Sequence, residues 1–210
     1  MQASTTDSLD EDSFLTGISV LSEMDPDLGQ VIDRLGHPPL WSREPGFPAL
    51  IHIILEQQVS LASAQSAFDK LNDAADGNLT PETFLTFSGS ELKAFGFSRQ
   101  KTKYGRELSR ELVDGDFSLD SLHQLEEDDA RNRLMSIKGI GPWTANIYLL
   151  MALMRPDVWP SGDLAVKKAI ESIKNLTETP STEEADEMAQ QWKPWRAVAT
   201  RVLWHHYLNG

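Results

Sequence analysis

The chain contains no cysteine, which excludes disulfides, thiolate-ligated zinc and cysteine-bound iron–sulfur clusters, and suits a reducing cytoplasm. Long apolar runs are also missing, so no segment is expected to span a bilayer. The opening stretch MQASTTDSLDEDS lacks the basic segment and apolar core that a secretory signal needs. Strict apolar–polar alternation, the mark of a half-buried strand, does not occur over any useful length. Positive charge is scarce: 19 Lys and Arg face 32 Asp and Glu, a net charge of −13 over 210 residues. That balance argues against a protein that coats nucleic acid indiscriminately.

What is present is helical periodicity, punctuated by caps and breakers. The first 22 residues read as an acidic, disordered tail, and residues 23–210 as one helical domain of two lobes. PDLGQVIDRLG predicts a first helix, stopped at Gly36 and the Pro38–Pro39 pair. PALIHIILEQQVSLASAQSAFDKLNDAA carries two helical patterns interrupted at Gln57–Gln58. Thr80 and Pro81 cap a further helix. Short helices are expected over 88–94, 98–113 and 126–135, then from 163, from 181 and over 194–207. The fold class is all-α.

Charge is uneven along this framework. Basic residues gather in FSRQKTKYGRELSR (97–110) and RNRLMSIKG (131–139), so a local basic face on an acidic protein remains open. Between two of the helical patterns lies SIKGIGPWTANIYLL (136–150). A Gly-Ile-Gly turn there leaves backbone N–H groups pointing outward where a helix begins, with Pro142 at the first helical position, where a missing N–H costs nothing. Such an N-terminus binds anions, phosphate above all.

Helix, Ile-Lys-Gly-Ile-Gly hairpin and helix, followed by VWPSGDLAVKKAI with its aspartate, resemble the helix-hairpin-helix DNA glycosylases. Within that superfamily the chain is most similar to the 3-methyladenine DNA glycosylase II group, in a compact form without the N-terminal β domain of larger members. ILEQQVSLASA (54–64) and WKPWRAVATRVLW (192–204) carry the likeness further, over roughly residues 25–208. The resemblance implies a two-lobed helical fold with the active-site cleft between the lobes. It also implies an activity: flipping alkylated purines, of the 3-methyladenine and 7-methylguanine type, out of duplex DNA and hydrolysing their N-glycosidic bond.

By that resemblance Asp163 is the catalytic carboxylate. Taken alone it reads as an N-cap, but the two roles are compatible, because a helix N-terminus favours negative charge. A fixed carboxylate can stabilise the oxocarbenium-like transition state of glycosidic cleavage. Trp143 stands where strand-cutting relatives carry a Schiff-base lysine, which implies a monofunctional enzyme. Trp143 and Trp204 would line the base pocket, together with Ile147 in place of a tyrosine, and would favour a cationic base through cation–π stacking. Gln58 or Gln57 would fill the gap left by the flipped base, Gln58 matching that position better.

Lys138, Gly139, Gly141 and Thr144 would hold a DNA phosphate. Carbonyls of Met135, Ile137 and Ile140 would bind a sodium or potassium ion, with no cofactor required for chemistry and no iron–sulfur cluster. The expected partner is double-stranded DNA containing alkylated bases, bound by a monomer with no membrane association, in a bacterial cytoplasm or nucleoid. Two rivals stand beside this reading. A non-enzymatic helix-hairpin-helix module needs neither a carboxylate at 163 nor an aromatic pocket. A glycosylase/lyase for oxidised bases needs a lysine where Trp143 stands. His205 and His206 are adjacent on a helix and make poor joint metal ligands.

Overall fold

The computed structural model describes residues 8–115 and 117–210. Among them regular structure is helical throughout, with no strand. The chain divides into two compact units, one of Met1–Ser42 with Leu149–Gly210 and one of Arg43–Tyr148. Helices α1 (Glu11–Met24) and α2 (Pro26–Leu35) open the first unit. The second holds α3 (Phe47–Glu56), α4 (Leu61–Ala74), α5 (Pro81–Thr86), α6 (Gly89–Phe95), α7 (Arg99–Asp114), α8 (Glu127–Met135) and most of α9 (Pro142–Met151). Then α10 (Leu164–Ile173), α11 (Thr182–Met188) and α12 (Arg196–Asn209) complete the first.

In the first unit α12 is the axis. Ala197 to Leu203 are buried without a break, the mark of a helix enclosed on all sides, and α1, α2 and α10 pack around it. The expected disordered tail over residues 1–22 is corrected here. Asp10 and Ser13 form a reciprocal capping box, and Phe14, Gly17, Ile18 and Leu21 bury one stripe of α1. Ser8 Oγ and Leu9 N–H donate to the carbonyls of Leu153 and Met154, which ties the start of this segment down. The acidic residues fall in the first turn of the helix, where its dipole favours them. Residues 1–7 lie outside the described residues.

The second unit is organised around α3. Leu50, Ile51, Ile53, Ile54 and Leu55 are all buried, and each such side chain contributes ~1.5–3 kcal/mol relative to exposure. Phe84 sits between Phe47 and Phe97, with ring centroids 5.9 and 5.7 Å away. Lys101 Nζ donates to the Leu55 carbonyl at 2.7 Å, satisfying one of the carbonyls orphaned where α3 ends. The expected interruption at Gln57–Gln58 is the turn between α3 and α4. Two 3-10 segments, Leu119–Gln124 and Ala189–Trp192, were not anticipated.

Candidate active site

The hairpin belongs to the second unit. After α8, Ile137 N–H donates to Leu134 O and Ile140 N–H to Ile137 O, each at 3.1 Å, closing two short turns. Ile137 and Ile140 are buried and anchor the hairpin, while Lys138 between them is exposed. Gly139 has φ +100, and a Cβ there would come within 2.2 Å of the Tyr104 ring. Only glycine fits. Pro142 then starts α9.

Gln57 and Gln58 part company. Gln57 caps α3 and points its amide into the hairpin, donating to Gly139 O at 3.3 Å and Thr144 Oγ1 at 2.9 Å. Its expected wedge role is therefore corrected to one of hairpin support. Gln58 is exposed on the turn with φ +56, a conformation uncommon outside glycine. The Thr144 side chain is 2% exposed and its hydroxyl accepts from Gln57, which leaves its backbone as the part of that residue open to a phosphate role. Ile147 is also 2% exposed and sits in the core, so it offers no surface to a base. Trp143 is half-buried.

Much of the basic charge read from the sequence is committed internally. Arg106 donates to Phe87 O at 2.6 Å, Arg131 pairs with Glu127, Asp128 and Asn146, and Arg133 lies over the Phe117 ring. Lys101 is held at α3, and burial lowers its pKa. Lys103 and Lys138 remain exposed.

Asp163 belongs to the first unit. It is the N-cap of α10, its Oδ1 accepting from Val166 N–H at 2.9 Å and from Trp204 Nε1 at 3.3 Å. At 8% exposure it is one of the few buried carboxylates. The loop before it is held by Asp186 on α11, whose two carboxylate oxygens accept from Trp159 Nε1 at 2.8 Å and Ser161 Oγ at 2.7 Å. Asp163 N–H donates to Pro160 O at 3.0 Å, and Gly162, with φ +79, turns the chain into the cap. Trp204 projects half-buried from α12, with Trp41 edge-on at 6.4 Å. Sequence reasoning missed Asp186 and Trp41. Neither lies near Asp163 in the chain, and no local pattern marks either one. His205 and His206 are used structurally, through Leu35 O in one case and Arg34 and Ser172 in the other.

A glycine-turned hairpin between α8 and α9, closing on the start of a helix, defines a helix-hairpin-helix protein. Residues 51–195 match the model of the HhH-GPD superfamily base excision DNA repair protein, and the chain belongs to that family. It is 30% identical, over 75% of its length and 56% of the relative's, to a DNA-3-methyladenine glycosylase of Bacillus subtilis. The chain spans a little more than half the length of such curated bacterial relatives. The fold matches that of Schizosaccharomyces pombe 3-methyladenine DNA glycosylase Mag1, solved with abasic DNA, at a TM-score of 0.81, 24% identity and coverage of 90% of this chain and 95% of that one. A DNA-3-methyladenine glycosidase from Bacillus halodurans superposes with a TM-score of 0.73 at 26% identity, covering 90% and 87% of the two chains. Among the described residues no helix is long and apolar enough to cross a membrane.

Proposed function

We propose that the protein is a monofunctional DNA glycosylase that removes alkylated purines from double-stranded DNA as a monomer, in the cytoplasm or nucleoid of a bacterium. One observation carries the reading: a buried aspartate whose Oδ1 is fixed by a backbone amide and an indole N–H. A cap alone needs only the first of those bonds. In the reaction the glycosidic C–N bond breaks and its electron pair leaves with the base, neutralising the positive charge that alkylation placed there. Positive charge grows on the sugar, and the Asp163 carboxylate stabilises it in a largely water-excluded setting, where electrostatics act strongly. Water then adds to the sugar carbon and loses a proton, leaving an abasic site.

Trp143 has no amine, so no Schiff base forms at that position and the strand is left intact. Trp204, beside Asp163 in the first unit, supplies an aromatic face for the cationic base, worth ~2 kcal/mol or more when desolvated. Gln58, exposed at its turn, fills the stack after the base leaves. The hairpin amides and Lys138 hold a phosphate. Met135, Ile137 and Ile140 fit a sodium or potassium ion as hard carbonyl donors: the hairpin follows the C-terminus of α8, whose dipole favours a cation, and Ile137 O keeps a second lone pair beyond its bond from Ile140. Such an ion would add positive charge beside the phosphate.

The test is incubation with randomly methylated duplex DNA and chromatographic identification of the released bases. Release of methylated purines without strand scission, and without a borohydride-trapped adduct, is expected. No released base, or a trapped adduct, overturns the reading.

A further inference from the structure

The loop between α2 and α3 carries a tryptophan in a conformation that tryptophan rarely adopts. Trp41 has φ +40, in the left-handed region. A bulky residue persists there only where surrounding contacts over-determine it. Those contacts come from α12. Arg201, 0% exposed, donates from Nε to the carbonyl of Leu40, the residue just before Trp41. The same guanidinium donates to Leu150 O at 2.9 Å and Ala197 O at 3.0 Å, so it is locked from three directions. Burial pushes Arg201 down to about 9, still above neutrality, and it remains a charged and strong donor. The Trp41 ring meets Trp204 at 6.4 Å with planes 67° apart, and His205 at 6.3 Å and 56°. The edge-to-face contact with Trp204 fixes ring orientation as well as burying area.

Nothing in Trp41 itself calls for this expense. What it touches does: the Trp204 indole N–H is a hydrogen-bond partner of Asp163. We infer that Trp41 is a positioning residue for the reaction, bracing Trp204 so that one indole both presents its face to the base and holds the Asp163 carboxylate. The inference rests on the glycosylase reading. It extends that reading by making the loop at Leu40–Trp41, anchored by buried Arg201, a determinant of the preference for cationic over neutral bases.

The experiment uses the full chain labelled with 5-fluorotryptophan and assigned by single Trp→Phe changes. With Trp41→Ala, the Trp204 fluorine resonance should shift or broaden, single-turnover excision of 7-methylguanine should fall about tenfold, and excision of neutral hypoxanthine should fall less. Trp41→Phe, which keeps an aromatic edge, should restore both the resonance and the preference. A folded Trp41→Ala protein with an unmoved Trp204 resonance overturns the inference. So does a Trp41→Ala protein that loses both substrates equally while Trp41→Phe fails to rescue. If Trp41→Ala does not fold, Trp41→Leu against Trp41→Phe decides by the same two readouts. A wild-type protein that releases no base sinks the glycosylase reading instead, and the fluorine resonance still decides whether the brace exists.

Discussion

The two candidate regions are built by opposite means. Around Asp163 the proposed groups are side chains, and backbone serves them: the Val166 amide fixes the carboxylate, and Leu40 O anchors the loop that bears Trp41. At the hairpin the proposed groups are backbone amides, and side chains serve them: Gln57 ties Gly139 to Thr144, and Tyr104 fills the space a Cβ would need. The difference predicts where each region breaks. The first should fail through loss of a charge with the fold intact. The second should fail through a single added methyl.

The largest effect belongs to Asp163→Asn. Asparagine is as good an N-cap as aspartate, so the melting temperature should barely move. The carboxylate charge disappears, and single-turnover base release should fall by at least about a hundredfold, the scale of removing one electrostatic stabiliser. Lesion-DNA binding should persist. Excision within a few-fold of wild type would unseat Asp163.

Gly139→Ala tests the other half of the comparison. The substitution meets both a strained φ of +100 and a 2.2 Å approach to Tyr104. Strain of this kind costs ~1–3 kcal/mol, and thermal unfolding should report it together with weaker DNA binding. Adding Tyr104→Ala removes the ring, but the residue-104 Cβ at 2.6 Å and the backbone strain both stay, so only part of the loss should return. Full recovery would mean that the backbone conformation is not what the hairpin requires.

Asp186→Ala comes third. Trp159 Nε1 and Ser161 Oγ both lose their acceptor, and leaving a buried donor unsatisfied costs ~1–3 kcal/mol. The loop before Asp163 should loosen, lowering kcat about tenfold while KM changes little. Asp186→Asn keeps one acceptor oxygen and should fall between. Equal losses in KM and kcat would point to general destabilisation.

How much of this was legible in the sequence follows from the range of each interaction. Local chemistry read well: Gly36 stops α2, Thr80 and Pro81 start α5, and Pro142 starts α9. Asp163 could be named because a cap and a family motif coincide at one residue. The tail was misread because acidic composition outweighed Phe14, Ile18 and Leu21 at helical spacing behind the Asp10 cap. Adjacent Gln57 and Gln58 could not be separated by pattern. Their difference is the backbone at a helix end, one turning inward to the hairpin and the other outward at φ +56. Asp186 and Trp41 act through contacts that span 25 or more residues of chain, across which periodicity is silent.

The smallest effect sharpens the contrast between backbone and side-chain recognition within the hairpin itself. Lys138 is exposed at the tip, while Arg106 and Arg131 are committed to internal acceptors. A chain of net charge −13 with so few available cations should neutralise few phosphates. Each phosphate neutralised contributes about −0.9 to the slope of log affinity against log salt on duplex DNA. The total should therefore stay well short of the slope near −10 of a strongly salt-dependent DNA binder. Lys138→Ala should weaken binding only a few-fold at moderate salt, yet flatten the slope by about 0.9, because one cation is removed. Gly139→Ala should do the reverse, lowering affinity at every salt concentration with the slope unchanged, because neutral amides release no counterions. A potassium chloride titration of both variants on one lesion duplex separates the two contributions. If Lys138→Ala leaves the slope unaltered, the phosphate at the hairpin is held by the amides alone.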